Sequence, residues 1–132
     1  MSRALDDLDP RFRPLAVELL ARLTEAGIAV LIVDTLRTDA EQARAIATGH
    51  SQVQRSKHQD GLAMDLCPYQ VWGLHGPDKL QWDTTDHVWL RIGALAEAIG
   101  LRWGGRFHPL NSEGIGWDPG HVEWVAGSGV PV

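Results

Sequence analysis

The chain has 132 residues, of which 44% are hydrophobic and 22% charged, and this composition fits one globular domain over residues 1–132 and excludes a disordered chain. The net charge of −5, without a cluster of lysine and arginine, argues against nucleic-acid binding, which depends on neutralising phosphates. The single cysteine, Cys67, excludes an internal disulfide.

The first half of the chain predicts a helix, a buried strand and a second helix. Asp9 is expected to cap the first helix, whose apolar residues recur at helical spacing until Gly27 ends it. Residues 28–33 form a continuous apolar run that predicts a central strand buried on both faces. Asp39 is expected to cap a second helix over residues 40–48.

The second half predicts three short strands and a third helix. The strands are expected at residues 62–67, 101–103 and 121–124, where the first and last alternate in polarity. Residues 86–99 predict the helix, capped by Thr84 or Thr85, with Val88, Leu95, Ala98 and Ile99 facing inward. Residues 68–83 are rich in Pro, Gly and Trp and predict a functional loop or a flap. This order predicts an α+β domain with a central, mostly antiparallel sheet and about three helices.

Two histidines and an aspartate form a candidate metal site. His58 and Asp65 lie on either side of Gly61, whose backbone freedom allows the loop to turn back over the strand, and His121 follows near the C-terminus. A catalytic zinc takes three such protein ligands and leaves its fourth position open. Any one of these residues alone is more often a hydrogen-bonded polar group than a ligand, and Cys67 offers a thiolate as an alternative fourth ligand of a closed, structural site.

The pattern resembles a known family. Ser56, His58, Gly61, Ala63 and Asp65 form the motif S-x-H-x-x-G-x-A-x-D, which is followed by Trp-Gly-Gly and then by W-x-x-x-H-x-E. These motifs resemble those of the LAS metallopeptidases, the D-alanyl-D-alanine carboxypeptidases and dipeptidases, and most of all the phage L-alanyl-D-glutamate endopeptidases. The similarity extends over residues 28–124, although Leu36 replaces the aromatic residue that the family commonly has before its arginine.

The resemblance implies the roles of the central site residues. His58, Asp65 and His121 are expected to bind one zinc ion in a cleft on the sheet. Asp118, three residues before the last ligand, is expected to act as the general base, where many relatives use a glutamate. Arg37 is expected to stabilise the oxyanion, although a surface ion pair is the alternative for an isolated arginine.

Three further residues are predicted around this centre. Ser56 is expected to orient the substrate or a ligand, or alternatively to be a loop hydroxyl bonded to the backbone. Gln42 is expected to support the segment that carries Arg37. Glu123 lies on the same strand face as His121 and is expected to be either a rival base or a partner of that histidine.

The resemblance implies a zinc peptidase that cleaves the peptide stem of bacterial peptidoglycan, at the L-alanyl-D-glutamate bond, as an endolysin does. The alternatives are a D,D-carboxypeptidase or dipeptidase on D-Ala-D-Ala ends and a zinc-binding module without activity; Asp118 favours an enzyme. The expected partner is the peptidoglycan peptide, with no nucleic acid, no membrane anchor and a monomeric chain. Because neither a signal peptide nor a run of ~18 apolar residues is visible, we expect the chain to stay in the cytoplasm until it is released.

Overall fold

The computed structural model describes residues 2–49, 55–69 and 80–126. Most of the connection over residues 68–83, and with it the predicted flap, lies outside the described residues, as does most of the loop that precedes residue 55. None of the described helices is long and apolar enough to span a bilayer.

The described residues form three α-helices and a four-stranded sheet in which every pairing is antiparallel. The strand order is β1-β2-β4-β3, so that β2 and β4 occupy the centre. The predicted α+β class is therefore confirmed. The bounds are β1 Val30–Asp34, β2 Ala63–Pro68, β3 Arg102–Trp103 and β4 His121–Glu123, with α1 Arg13–Glu25, α2 Asp39–Ala47 and α3 Val88–Ala98.

The first turns of α1 and α2 both differ from the prediction. Helix α1 begins at Arg13 and not after Asp9, because the Asp9 carboxylate accepts hydrogen bonds from the backbone and side chain of Arg11 and holds residues 10–12 in a turn. Helix α2 is capped by Thr38 and not by Asp39: the Thr38 hydroxyl accepts the backbone N–H of Glu41, whose carboxylate accepts the N–H of Thr38.

The prediction that the strand of residues 28–33 is central and buried on both faces is wrong. Within the described part of the chain, β1 is an edge strand that pairs only with β2, and Leu31 is 43% exposed. A continuous apolar run shows no alternation of polar and apolar residues, so its pattern does not distinguish an edge strand from a central one. At the end of β1, Asp34 lies opposite Asp65 of the central strand β2.

The predicted inner face of the third helix is partly correct: Val88, Leu95 and Ile99 are half-buried and pack against the core, but Ala98 does not, and the fully buried residues were missed. The buried residues of α3 are Trp89, Ile92, Gly93 and Ala96. They follow the i, i+3, i+4, i+7 pattern of one helix face, whereas Ala98 is exposed. The helix begins at Val88, whose N–H is accepted by Asp86 rather than by a threonine, and Trp89 is held by a 2.9 Å bond from its indole N–H to the Asp83 carbonyl.

Gly93 lets α3 approach the indole of Trp103 on β3. A methyl group at this position would stand well inside van der Waals contact with the Trp103 ring, which is 2% exposed and fixed by a 2.7 Å bond from its N–H to the Pro119 carbonyl. The contact holds the helix against β3, whose last residue is the tryptophan of the Trp-Gly-Gly segment.

Gly93→Ala should therefore lower the free energy of unfolding by about 1–3 kcal/mol, as overpacking does, although alanine is intrinsically the better helix former by ~1 kcal/mol. Urea unfolding measures the change. Ala94→Gly at the neighbouring exposed position is the control and should cost only the propensity difference of ~1 kcal/mol. A Gly93→Ala variant more stable than the wild type would contradict the packing argument.

Candidate metal centre

The two central strands bring Asp65 and His121 side by side. They are direct partners in the antiparallel register of β2 and β4. His58 arrives from the short 3-10 helix Lys57–Asp60, which ends at Gly61 with φ of 70° and returns the chain to β2. One ligating atom from each of His58, Asp65 and His121 lies within 4.8 Å of the other two, so the predicted ligands converge.

The ring of His58 has one nitrogen fixed as a donor. Its Nδ1 lies 2.8 Å from the carbonyl oxygen of Thr35, and because a carbonyl can only accept, Nδ1 carries the proton. A neutral ring then has its lone pair on Nε2, which is buried, has no hydrogen-bond partner, and lies 3.1 Å from Oδ1 of Asp65. Two acceptor atoms thus face each other, an arrangement that a cation between them would satisfy.

His121 is oriented by a second carboxylate. Its Nε2 donates to Oε1 of Glu123 at 2.8 Å, which leaves Nδ1 facing Oδ1 of Asp65 at 3.1 Å. Burial alone would lower the pKa of His121, but the hydrogen bonds to Asp65 and Glu123 outweigh it and raise the pKa to about 10. In the metal-free chain a proton on Nδ1 therefore neutralises the negative charge of Asp65.

The donor set fits a metal ion such as zinc. Two imidazole nitrogens and one carboxylate oxygen are ligands that zinc accepts, and each histidine donates its other ring N–H to an oxygen, as metal-binding histidines commonly do. Burial would raise the pKa of Asp65, but the neighbouring imidazoles of His58 and His121 hold it well below its usual range. The alternative ligand Cys67 is not in this group; its thiol donates to the Gln81 carbonyl at 3.5 Å.

Asp118 stands at the edge of the centre. Its Oδ2 lies 3.8 Å from Nδ1 of His121, which is close to the candidate ligands without a hydrogen bond to them. Burial and the neighbouring charge of Asp65 raise the pKa of Asp118 to about 6. The geometry therefore gives Asp118 and Asp65 different proton affinities within one site.

Arg37 is held by two buried side chains. Asp34 accepts from its Nη2 at 2.7 Å and its Nε at 3.2 Å, and Gln42 accepts from its Nη1 at 2.6 Å. Nη2 also lies 3.8 Å from Oδ2 of Asp65, so the guanidinium reaches the candidate metal ligands. Arg37 is thus a fixed, nearly buried cation with two N–H groups left over, and not a surface ion pair.

Ser56 caps the short helix that presents His58. Its hydroxyl accepts the backbone N–H of His58 at 3.2 Å, and its own N–H is accepted by the side chain of Gln59. The Ser56 hydroxyl is thus bonded to the backbone of its own loop, which is the alternative given above to contact with substrate. Contact with substrate remains a prediction for Ser56, which also lines the cleft.

Three supporting residues were missed in the sequence. Thr35 supplies the carbonyl that fixes His58, Asp34 holds Arg37, and Lys57 pairs with Glu123 at 2.9 Å. The sequence contains a signal for Asp34, since a carboxylate directly after an apolar strand needs a polar partner. Thr35 and Lys57 had none, because a backbone carbonyl is not encoded and a loop lysine is usually solvated.

The candidate ligands open onto a cleft of about 530 Å³. Its walls combine the centre with basic and aromatic side chains. Those outside the centre are Arg55, Lys57, Arg102, Arg106, Phe107, His108 and Trp117. The cleft is large enough to take a short peptide segment against the metal ligands.

The protonation of His121 gives a direct test of the ligand geometry. At pH 8 an ordinary histidine, with a pKa near 6.5, is neutral, whereas His121 in the metal-free protein should carry protons on both ring nitrogens. One equivalent of zinc should remove the Nδ1 proton and leave the Nε2 proton on its bond to Glu123.

Long-range ¹H–¹⁵N NMR spectra of the imidazoles, recorded before and after zinc, distinguish these forms. The Glu123→Gln variant is the matched comparison, because it retains a side-chain acceptor for the Nε2 proton but removes the charge. A neutral His121 in the metal-free wild type at pH 8, or metal on Nε2, would contradict the assignment.

Comparison with known proteins agrees with the motifs. Residues 49–124 match the family described as D-alanyl-D-alanine carboxypeptidase. The L-alanyl-D-glutamate peptidase of Listeria phage A118 is 35% identical over 83 residues, which are 60% of this chain and 26% of that protein. The chain therefore spans about a quarter of the length of that curated relative.

The fold is shared with solved peptidase structures. The Serratia marcescens L-Ala D-Glu endopeptidase ChiX superposes with a TM-score of 0.66 at 21% identity, covering 92% of this chain and 83% of that one. VanYB in complex with D-alanine-D-alanine gives 0.55 at 20%, covering 89% and 71%. The vancomycin-resistance D,D-pentapeptidase VanY in complex with Zn(II) gives 0.54 at 19%, covering 89% and 72%. Because the family match spans more than half of the chain and includes all three motifs, the chain belongs to the D-alanyl-D-alanine carboxypeptidase family.

Proposed function

We propose that the protein is a zinc-dependent peptidase that cleaves the L-alanyl-D-glutamate bond in the peptide stem of bacterial peptidoglycan. The observation that carries the proposal is the convergence of His58, Asp65 and His121 in an open cleft, with Asp118 beside them and outside the ligand set. The phage relative that is named for this peptidase activity supports the choice of bond.

His58, Asp65 and His121 would hold the zinc ion, which when bound acts as a Lewis acid on the carbonyl and lowers the pKa of water. Asp118 would take a proton from the attacking water and return it to the leaving amine. In the metal-free protein, burial and the charge of Asp65 raise the pKa of Asp118 to about 6, so near neutral pH its carboxylate is ionised and able to accept a proton.

Arg37 would stabilise the negative charge that develops on the carbonyl oxygen. Its bonds to Asp34 and Gln42 fix the guanidinium before substrate arrives, so little reorganisation is needed during the reaction. Glu123 would hold His121 with Nδ1 towards the metal, rather than act as a rival base, because both of its oxygens are already engaged by His121 and Lys57.

A D,D-carboxypeptidase on D-Ala-D-Ala ends is the second candidate. The description of the matched family and the fold shared with a D,D-pentapeptidase favour it. The two activities would use the same chemistry and differ in which bond lies against the centre. The products therefore distinguish them.

Purified peptidoglycan, digested by the zinc-loaded protein, should yield new N-terminal glutamate, detected by mass analysis of the released ends. His58→Ala should abolish the products and bind less than one zinc per chain. Asp118→Asn should keep zinc but lose about 10²–10⁴-fold in rate, which is the usual contribution of a general base.

Asp6→Asn, at an exposed aspartate that does not line the cleft, is the control and should cleave as the wild type does. Release of terminal D-alanine alone would replace the endopeptidase by the carboxypeptidase. No cleavage by a folded, zinc-loaded wild type would point to a zinc-binding module without activity.

A further inference from the structure

The cleft concentrates positive charge in an acidic protein. Among the described residues, five lysines and arginines line it but only three aspartates and glutamates, although the chain as a whole carries a net charge of −5. The five basic residues are Arg37, Arg55, Lys57, Arg102 and Arg106. A cleft of this kind favours a negatively charged occupant.

Four of these five cations already have a close carboxylate partner. The pairs are Arg37 with Asp34, Arg55 with Asp60, Lys57 with Glu123, and Arg106 with Glu97. Arg102 differs, since the one carboxylate within 4 Å of it among the described residues is Glu123, at 3.8 Å, and that carboxylate is bound by Lys57 at 2.9 Å.

The guanidinium of Arg102 is nevertheless positioned. It lies 4.6 Å above the centre of the Phe107 ring, and its side chain is 58% exposed. Stacking on an aromatic ring holds the plane of the guanidinium while leaving its edge N–H groups free to donate. Arg102 is therefore the cation of the cleft best able to bind a carboxylate from outside the protein.

A second, largely apolar cavity adjoins the candidate centre. Asp65, Trp117 and Asp118 line both the main cleft and this second cavity of about 230 Å³. The remaining walls of the second cavity are largely hydrophobic, including Val33, Leu66, Trp82 and Trp89. The candidate centre thus has a basic half, formed by the main cleft, and an apolar half, formed by the second cavity.

We propose that Arg102 determines specificity by binding the carboxylate of the substrate residue that supplies the leaving amine, while the apolar half receives the residue before the bond. This inference rests on the proposed peptidase function. A glutamate that is joined onward through one carboxyl group keeps the other as a free carboxylate, and the alanine before it is apolar. The two halves of the cleft match this order of charges along the peptide.

The test compares two synthetic stem peptides that differ only at this group, one with the free carboxylate and one with an uncharged carboxamide. The wild type should cleave the acid with a kcat/KM about ten- to a hundredfold higher, the effect of one charge-assisted hydrogen bond, mainly through KM. Arg102→Gln should remove the preference and Arg102→Lys should retain part of it. Arg22→Gln, on α1 and outside the residues that line the cleft, is the control and should keep it in full.

Binding of both peptides to zinc-loaded Asp118→Asn, with and without Arg102→Gln, separates this inference from the proposed function. Preferential binding of the acid that depends on Arg102, without cleavage by the wild type, would support the carboxylate site and overturn the peptidase. Equal cleavage of both peptides, or a preference that survives Arg102→Gln, would overturn the inference and leave the peptidase standing. Neither binding nor cleavage would overturn both.

Discussion

The pairing of Asp65 with His121 across the two central strands is the constraint on which the site depends. Side chains alternate along a strand, so a shift of one residue in this register would turn His121 to the opposite face of the sheet. Both neighbours of β2 fix the register, since β1 pairs along its other edge. The core that holds the sheet therefore also sets the distance between two of the three candidate ligands.

Around this pair, hydrogen bonds decide which atom of each residue points to the centre. The Thr35 carbonyl fixes Nδ1 of His58 as a donor, and Glu123 fixes Nε2 of His121 in the same way. Opposite ring nitrogens of the two histidines thus face Asp65. The cost is a buried nitrogen of His58 without a partner, which is the expected signature of a site built for a cation.

Sequence reasoning succeeded where the signal was local and failed where neighbours decide. Strand β2 and the αL glycine after the short helix follow from alternation and from Gly61. The central position predicted for β1 and the inward position predicted for Ala98 were wrong, and the buried residues of α3 were missed, because apolar residues were available in more than one arrangement. Trp89 faces inward because its indole bonds the Asp83 carbonyl, and Gly93 because it packs against Trp103. Both partners lie outside the helix itself.

The sequence by itself determined the family, the α+β class and the identity of the candidate ligands, because motif spacing and short-range patterns carry that information. Only the tertiary structure decided which ring nitrogens face Asp65, that Asp34 and Gln42 hold Arg37, and that Lys57 already occupies Glu123. It also distinguished Arg102 from the other arginines of the cleft. These are properties of distances between segments far apart in the chain, and no spacing along the sequence encodes them.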